Sequence, residues 1–417
     1  MSFSKFELLP ELNQYFKEMQ FKAPTEVQKK VIPALMQDDS LLVTAQTGSG
    51  KTLAFALPIC HQVKLLENAF GATTKKGTPL ALIIAPTKEL ASQIHGVFKD
   101  LSHHVKIRPR LITGGMKNET LLKTAKQSFE VLIATPNKVN TAIQKKLLKL
   151  SDLKYLVFDE ADTLFEMGFK KDIEALLGRV KLDRVETSFF TATLPTQVEV
   201  FINDKFSQKN LKRITTKDAH QVQQKISTFN LFVSPAEKLE MIGAFLKQTA
   251  KGRGIIFANQ KNQVDDISKY LSTNFPKLKF MSLHGDMPAK DRMNVHKIFK
   301  DNKAQVLVAT DVAARGIDIK DLVWVLNYNL PRNAEFYLHR AGRTGRMGKK
   351  GIVYNLVTER DARLVSLIND TIKKQTSLKL DDIAASMERV RQKSAVKKSA
   401  KKKLKKKRIK VTKRTRL

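Results

Sequence analysis

The chain has 417 residues, more than one ordinary hydrophobic core accommodates, so its length predicts two domains. It carries 75 Lys and Arg residues against 40 Asp and Glu residues, and its net charge of +35 favours a polyanionic partner such as a nucleic acid. Its single cysteine, Cys60, excludes an intrachain disulfide, and no apolar run approaches the ~20 residues of a membrane span.

Short apolar runs alternate with longer helical patterns along the first half of the chain. The runs are LLVTA (41–45), ALIIAPT (81–87), RLITGG (110–115), VLIATP (131–136), YLVFDEAD (155–162) and SFFTAT (188–193). Most of them are continuously apolar instead of alternating, which is typical of strands buried on both faces of a parallel sheet. The pattern therefore predicts an α/β fold.

A second series of runs follows a polar segment at 215–225. These runs are TFNLFV (228–233), GIIFAN (254–259), FMSLHG (280–285), QVLVAT (305–310), WVLNYN (324–329) and GIVYNLV (351–357). We predict a first domain at 1–216, a linker at 217–222, a second domain at 223–375 and a C-terminal extension at 376–417. Ligands of open α/β sheets bind beyond the carboxyl ends of the strands, where the motifs described next are found.

The segment AQTGSGKT at 45–52 follows an apolar run and precedes a helical pattern. A glycine-rich loop between a strand and a helix is where backbone amides hold phosphates. Gly48 and Gly50 permit the tight backbone, Lys51 would neutralise phosphate charge, and the Thr52 hydroxyl would bind Mg²⁺. The general pattern G-x-x-x-x-G-K-[ST] has a glycine where this chain has the equally small Ala45.

The segment VFDEAD at 157–162 supplies the acidic half of a nucleotide site. A buried strand that ends in carboxylates needs a cation nearby, and Asp159 would hold Mg²⁺, usually through water. Glu160 would orient and activate the attacking water.

These motifs resemble those of the DEAD-box ATP-dependent RNA helicases, and the resemblance covers about residues 3–375. In that family the phosphate loop reads A-x-T-G-x-G-K-T, so Ala45 is the expected residue. The resemblance implies two tandem RecA-like domains with the ATP site in the cleft between them. It also implies RNA-stimulated ATP hydrolysis, with ATP and Mg²⁺ as cofactors, that drives local unwinding of short RNA duplexes or remodelling of ribonucleoproteins. Ribosome assembly, RNA decay and cold adaptation are the pathways that we consider.

The resemblance assigns the ATP contacts residue by residue. PTEVQ (24–28) matches the adenine-reading element, which extends over 3–28, and HRAGRTGR (339–346) supplies the arginines Arg343 and Arg346 that reach the γ-phosphate. A basic patch for RNA phosphates is the alternative for these arginines. The expected nucleotide-binding residues are Phe3, Phe21, Gln28, Gln46, Thr47, Gly48, Ser49, Gly50, Lys51, Thr52 and Asp318. The expected catalytic residues are Lys51, Asp159, Glu160, Arg343 and Arg346.

The remaining family elements couple ATP to RNA. The coupling residues are expected to be Asp162, Thr191, Thr193, His339 and Arg340. The RNA contacts are expected to be Thr87, Lys88, Gly115, Thr135, Lys138, Arg292 and Thr310, which read little sequence because they are small, hydroxylated or basic. Lys88 and Lys138 stand where the family has arginine, so we expect somewhat weaker RNA contacts from the body of the protein.

The segment 389–417 holds 16 Lys and Arg residues and no acid, which is the composition of a disordered polybasic tail. We expect the tail to tether structured or ribosomal RNA; a targeting signal and a partner-binding segment are the alternatives. The compact build indicates a bacterial-type cytoplasmic protein with a monomeric core and no membrane association; the nucleolus is the alternative if it is eukaryotic. A DNA translocase and a non-catalytic RNA-binding scaffold are the competing functions.

Overall fold

The computed structural model describes residues 2–46, 48–71, 75–207, 211–216, 226–314, 322–331, 334–345, 350–362 and 364–366. Within these residues the strands form two separate sheets, one of seven strands and one of six. All pairings between neighbouring strands are parallel. The α/β prediction is therefore correct.

The first sheet has the strand order β3-β4-β2-β5-β6-β1-β7. Its strands are β1 (Leu41–Thr44), β2 (Ala81–Ile84), β3 (Pro109–Ile112), β4 (Val131–Ala134), β5 (Tyr155–Phe158), β6 (Glu186–Thr191) and β7 (Lys212–Thr215). Its helices are α1 (Pro10–Glu18), α2 (Glu26–Met36), α3 (Lys51–Phe70), α4 (Lys88–Val105), α5 (Asn118–Ala125), α6 (Pro136–Gln144), α7 (Ala161–Glu166), α8 (Lys170–Leu177) and α9 (Thr196–Lys205).

The second sheet has the order β10-β11-β9-β12-β13-β8. Its strands are β8 (Ile226–Phe232), β9 (Gly254–Ala258), β10 (Phe280–Leu283), β11 (Val306–Thr310), β12 (Trp324–Asn327) and β13 (Gly351–Val357). Its helices are α10 (Lys238–Gln248), α11 (Lys261–Asn274), α12 (Ala289–Lys300), α13 (Asp311–Ala314) and α14 (Ala334–Ala341). Short 3-10 helices occur at Phe3–Phe6, Leu182–Arg184, Pro235–Glu237 and Glu359–Asp361.

The inner strands are mostly apolar because both faces of each sheet are covered by helices. In β1, Leu41 and Val43 pack into the core on one face, and Leu42 packs into the core on the other. Every residue of β1, β2, β4 and β5 is buried. Alternate side chains thus enter different cores, which explains the continuous apolar runs.

The apolar runs correctly predicted twelve of the observed strands but missed β7. That strand lies at the edge of the first sheet, and only Ile214 of its four residues is buried. The polar segment 217–225 between the sheets lies outside the described residues, as does the tail, so the domain boundaries stay a prediction. No helix of the described part of the chain is both long and apolar enough to cross a bilayer.

Candidate active site

The phosphate loop lies between the carboxyl end of β1 and the start of α3. Gly48 and Gly50 have positive φ angles of 77° and 94°, which side chains other than glycine rarely adopt. A Cβ atom on Gly50 would lie 2.6 Å from the side-chain nitrogen of Gln28, so a larger residue here would displace the Gln28 amide from the loop. The loop therefore turns tightly into the N-terminus of a helix, as a phosphate site requires.

Lys51 is buried at the first position of α3 and holds the loop closed. Its Nζ donates to the carbonyl oxygen of Ala45 at 2.7 Å and to that of Gln46 at 3.3 Å. The Ser49 hydroxyl donates to the same Gln46 carbonyl at 2.8 Å. Thr52 is half-buried in the first turn of α3, and Thr47 lies outside the described residues.

Gln28 connects the predicted adenine-reading element to the phosphate loop. Its Nε2 donates to the carbonyl oxygen of Gly50 at 3.3 Å, across 22 residues of sequence. Its Oε1 accepts from the backbone nitrogen of Thr25 at 2.9 Å, which completes a capping box at the start of α2. The same side chain thus starts one helix and contacts the N-terminus of another.

The two phenylalanines of this element occupy different environments. Phe3 is buried and stacks on Phe16, with ring centroids 4.3 Å apart. Phe21 is only partly buried, and its ring lies 6.2 Å from that of Phe3. Phe21 can therefore offer a surface to a bound base, whereas Phe3 supports it from the core.

The acidic motif follows β5. Asp159 is buried, and burial raises the pKa of its carboxyl to about 7, with Lys51 opposing this effect. Glu160 is partly exposed and lies in the left-handed region with φ 47°, where it caps α7. Its backbone nitrogen donates to Asp159 Oδ1 at 3.0 Å. The two carboxylates thus differ in burial although they are adjacent in sequence.

Asp162 joins three elements of the predicted coupling machinery. Its Oδ2 accepts from the hydroxyl and the backbone nitrogen of Thr193 at 2.8 and 3.0 Å. His339 Nε2, on α14 of the second domain, lies 3.4 Å from the same oxygen. Burial alone would raise the pKa of Asp162, but the hydrogen bonds from His339 and Thr193 hold it well below its usual range. Thr191 contributes its hydroxyl, which accepts from the Asp162 nitrogen at 3.4 Å.

Arg340 is the centre of a buried polar network in the second domain. Its guanidinium pairs with Asp311 through two hydrogen bonds of 2.6 Å. It also donates to the side chains of Asn259 at 2.7 Å and Asn327 at 2.9 Å. Only 1% of the residue is exposed, so these partners must replace the water that a cation loses on burial. The network fixes the end of α14 against the sheet.

The network continues across three neighbouring strands as a ladder of asparagines. Asn327 donates to Asn355 at 2.7 Å, and Asn355 donates to Asn230 at 2.8 Å. The three residues are direct neighbours in the register of β12, β13 and β8. Because the Asn327 amide oxygen accepts from Arg340, the Asn327 amide nitrogen faces Asn355. In the same way, the Asn355 nitrogen faces Asn230.

Arg343 follows α14 by two residues and is buried, with its backbone nitrogen donating to the Arg340 carbonyl at 3.0 Å. The structure thus brings Arg343 and His339 to the end of one short helix. The other predicted residues of the second-domain site, Asp318 and Arg346, lie outside the described residues.

The predicted RNA-binding residues lie where helices follow strands. Thr87 caps α4, with its hydroxyl accepting from Leu90 N at 3.1 Å, and the Thr135 hydroxyl accepts from Gly114 N at 3.2 Å. Gly115 is exposed with φ 82°, and Lys138 Nζ donates to the Met116 carbonyl at 2.8 Å. The loop after β3 and the start of α6 therefore form one surface.

Glu89, which the sequence motifs did not single out, contacts both domains beside the predicted RNA-binding residues. Its Oε1 lies 3.7 Å from Arg292 of α12 and 3.7 Å from Lys88. Thr310 lies half-buried at the carboxyl end of β11. The residues that sequence reasoning missed are therefore Glu89, Asp311 and the asparagines, since none of them shows its partner in the linear sequence.

The donor set at the phosphate loop fits a hard divalent cation. Asp159 is a buried carboxyl whose ionised form is unfavourable without a nearby positive charge, and Thr52 offers a hydroxyl at the start of α3. The part of the chain that the structure describes holds no cluster of three or more His, Cys, Asp or Glu side chains that could bind a metal alone. Such a cation would thus have to share its ligands with the nucleotide.

Two tandem parallel-sheet domains with one phosphate loop define a class of ATPases built from RecA-like domains. The family model described as "DEAD/DEAH box helicase" matches residues 25–201, and "Helicase conserved C-terminal domain" matches residues 237–348. The ATP-dependent RNA helicase CshA of Listeria monocytogenes is 35% identical over 374 residues, which are 89% of this chain and 69% of that protein. DEAD-box ATP-dependent RNA helicase 39 of Arabidopsis thaliana is 32% identical, over 90% of this chain and 62% of that protein.

Solved structures agree with the sequence matches. Dbp5 of S. cerevisiae, bound to RNA and ADP BeF3, is similar with a TM-score of 0.80 and 25% identity, over 94% of this chain and 99% of that chain. Mss116p bound to ssRNA and AMP-PNP has a TM-score of 0.75 and 26% identity, over 88% of this chain and 76% of that chain. The chain belongs to the DEAD-box family of ATP-dependent RNA helicases, so the predictions of fold and family are confirmed.

Proposed function

We propose that the chain hydrolyses ATP when RNA brings its two domains together, and that this cycle opens short RNA duplexes or remodels ribonucleoproteins. The contact between Asp162 and His339 carries the proposal. It joins the acidic motif behind the phosphate loop to α14, the helix that precedes Arg343, across the two domains. The similarity to Dbp5 bound to RNA and ADP BeF3 supports this arrangement of the domains.

Residues of both domains share the ATP chemistry in this proposal. Gln28 and Phe21 receive the adenine, and the loop from Gln46 to Thr52 holds the phosphates. Glu160, which is partly exposed, orients the attacking water, and Arg343 and Arg346 stabilise the charge that develops on the γ-phosphate. Asp159 and Thr52 would hold Mg²⁺, which supplies positive charge to the phosphates when bound.

Hydrolysis requires closure because these groups are divided between the domains. RNA contacts proposed for the first domain are Thr87, Lys88, Gly115, Thr135 and Lys138. Arg292 and Thr310 are proposed for the second domain. A strand that touches both sets favours the closed state, and by linkage it also raises the affinity for ATP.

The cellular setting belongs to the same proposal. We propose a cytoplasmic protein that acts on structured or ribosomal RNA. Bacterial relatives named ATP-dependent RNA helicase CshA support RNA as the substrate. Ribosome assembly and RNA decay are both consistent with sequence-tolerant contacts.

Steady-state ATP hydrolysis tests the proposal directly. It should be measured at moderate salt without nucleic acid, with single-stranded RNA and with DNA of matched sequence. We expect strong stimulation by RNA alone, and we expect Glu160→Gln to abolish hydrolysis while RNA binding persists. Equal stimulation by DNA would instead favour a general nucleic-acid motor, and RNA remodelling that survives in Glu160→Gln would favour a scaffold.

A further inference from the structure

One edge of the first domain is strongly basic outside the motifs described above. Residues 106–149, all of which the structure describes, contain ten Lys and Arg residues and two Glu residues. They form β3, α5, β4 and α6, and β3 is the edge strand of its sheet. Seven lysines of this segment are exposed. We call the six that follow β3 the basic face: Lys117, Lys123, Lys126, Lys145, Lys146 and Lys149.

The acidic residues of the segment do not neutralise the basic face. Glu130 is 2% exposed and accepts hydrogen bonds from both the backbone nitrogen and the guanidinium of Arg108. The negative charge of Glu130 is therefore paired with Arg108 and does not offset the exposed lysines. Glu119 is the one exposed acid of residues 106–149. Six exposed positive charges against one negative charge produce a field that attracts a polyanion.

The basic face adjoins the proposed RNA site. Lys138 donates to the Met116 carbonyl at 2.8 Å, and Lys145 donates to the Asn118 side chain at 3.4 Å. Both contacts join α6 to the loop and helix that follow Gly115. Lys117 and Lys145 of the basic face therefore lie next to the elements that carry Gly115 and Lys138.

The chemistry of the basic face fits a double helix better than a single strand. Proteins that hold single strands without sequence preference stack the bases on aromatic side chains. Phe129 is the one aromatic residue of segment 106–149, and its exposed fraction is 0%. Lysines are point charges that contact phosphates without reading bases, and duplex RNA is recognised largely by its shape and backbone.

We propose that the basic face binds the phosphate backbone of an RNA duplex that flanks the single strand held at Gly115, Thr135 and Lys138. This inference rests on the proposed function, because it assumes that RNA occupies the motif site. It assigns to the first domain a second, duplex-binding surface, which would place the enzyme beside the helix that it opens.

The test compares two charge-reversal variants of the full chain. The first variant is Lys123→Glu, Lys126→Glu, Lys149→Glu on the basic face. The matched control is Lys251→Glu, Lys269→Glu, Lys277→Glu, which changes the net charge equally at exposed sites of the second domain. Affinities should be measured for a single-stranded RNA and for the same strand with an adjoining hairpin.

We expect the basic-face variant to bind the hairpin RNA about tenfold more weakly than the control variant, with a shallower dependence on salt. Affinity for the single strand and the ATPase rate at saturating single-stranded RNA should match those of the control. Equal losses on both RNAs would assign the lysines to the single strand and overturn the proposal. Unchanged affinity for both RNAs would leave the surface to a different acidic partner and also overturn it. Absence of RNA-stimulated ATPase in the unaltered protein would instead refute the proposed function itself.

Discussion

Asp159 and Asp162 are three residues apart, yet the fold shifts their pKa values in opposite directions. Burial raises the pKa of Asp159 to about 7, whereas hydrogen bonds from His339 and Thr193 hold that of Asp162 well below its usual range. The ionised form of Asp159 is thus unfavourable until a cation binds nearby. Asp162 is already an anion, and its hydrogen-bond donors are in place. The sequence predicted both acids but not this difference, which depends on their partners.

In the absence of nucleotide and metal, replacement of Asp159 by Asn should raise the free energy of unfolding by an amount that depends on pH. A carboxyl whose pKa is higher when folded binds more protons in the folded state, so wild-type stability falls as pH rises from the carboxyl's ordinary pKa of 3.8 to about 7. The advantage of Asp159→Asn should grow across this window by up to about 1.4 kcal/mol per pH unit. Urea denaturation at pH 5 and pH 8 measures it, with Glu160→Gln as the control. A constant difference between the two pH values would contradict this account.

At the scale of elements, α14 is held by groups that come from distant parts of the second domain. Arg340 contacts Asp311, Asn259 and Asn327, and the asparagine ladder extends this contact to the edge strand β8. β8 is the strand that follows the segment between the two sheets. The network therefore connects the start of the second domain with the helix that carries His339.

Substitution of Asn355 by Leu should destabilise the second domain strongly. It removes the acceptor of the Asn327 amide nitrogen and one donor to the Asn230 amide oxygen, and a buried polar group left unsatisfied costs about 1–3 kcal/mol. Fluorescence of Trp324, the single tryptophan, would follow denaturation because it is buried in the adjacent strand β12. Asn274→Leu, at an exposed amide on α11, should change the stability by less than about 0.5 kcal/mol. Similar losses in both variants would rule out a structural role for the ladder.

The strands were predictable where they are buried on both faces, and less so at the edges. β7 has one buried residue, Ile214, and its sequence KRIT gives no apolar run. The phosphate loop and acidic motif were predictable because each is a short local pattern. The asparagine ladder and the contact of Glu89 with Arg292 were not, since they depend on strand register and on how the two domains meet.

At the scale of the whole molecule, the basic charge is divided between the body and the segment 389–417. A basic segment that binds RNA would raise the local concentration of RNA without contributing to the chemistry. Deletion of 389–417 should therefore raise the RNA concentration for half-maximal ATPase by about tenfold and leave the saturated rate within about twofold. A full-length variant with Gln in place of every Lys and Arg of this segment distinguishes the effect of its positive charge from the effect of its length. A large fall in the saturated rate would exclude a simple tether.

In the proposed cycle, ATP and RNA together close the two domains. Fluorescent labels at Ser151→Cys in the first domain and Ser272→Cys in the second would report the distance between them, because both positions are exposed. Cys60 should not react, since it is fully buried and burial raises the pKa of its thiol. The labelled protein should also carry Glu160→Gln, so that ATP is not hydrolysed while energy transfer is measured. We predict a shift to one high-transfer state only when ATP and single-stranded RNA are both present. The same state with ATP alone, or no shift with both ligands, would contradict the account.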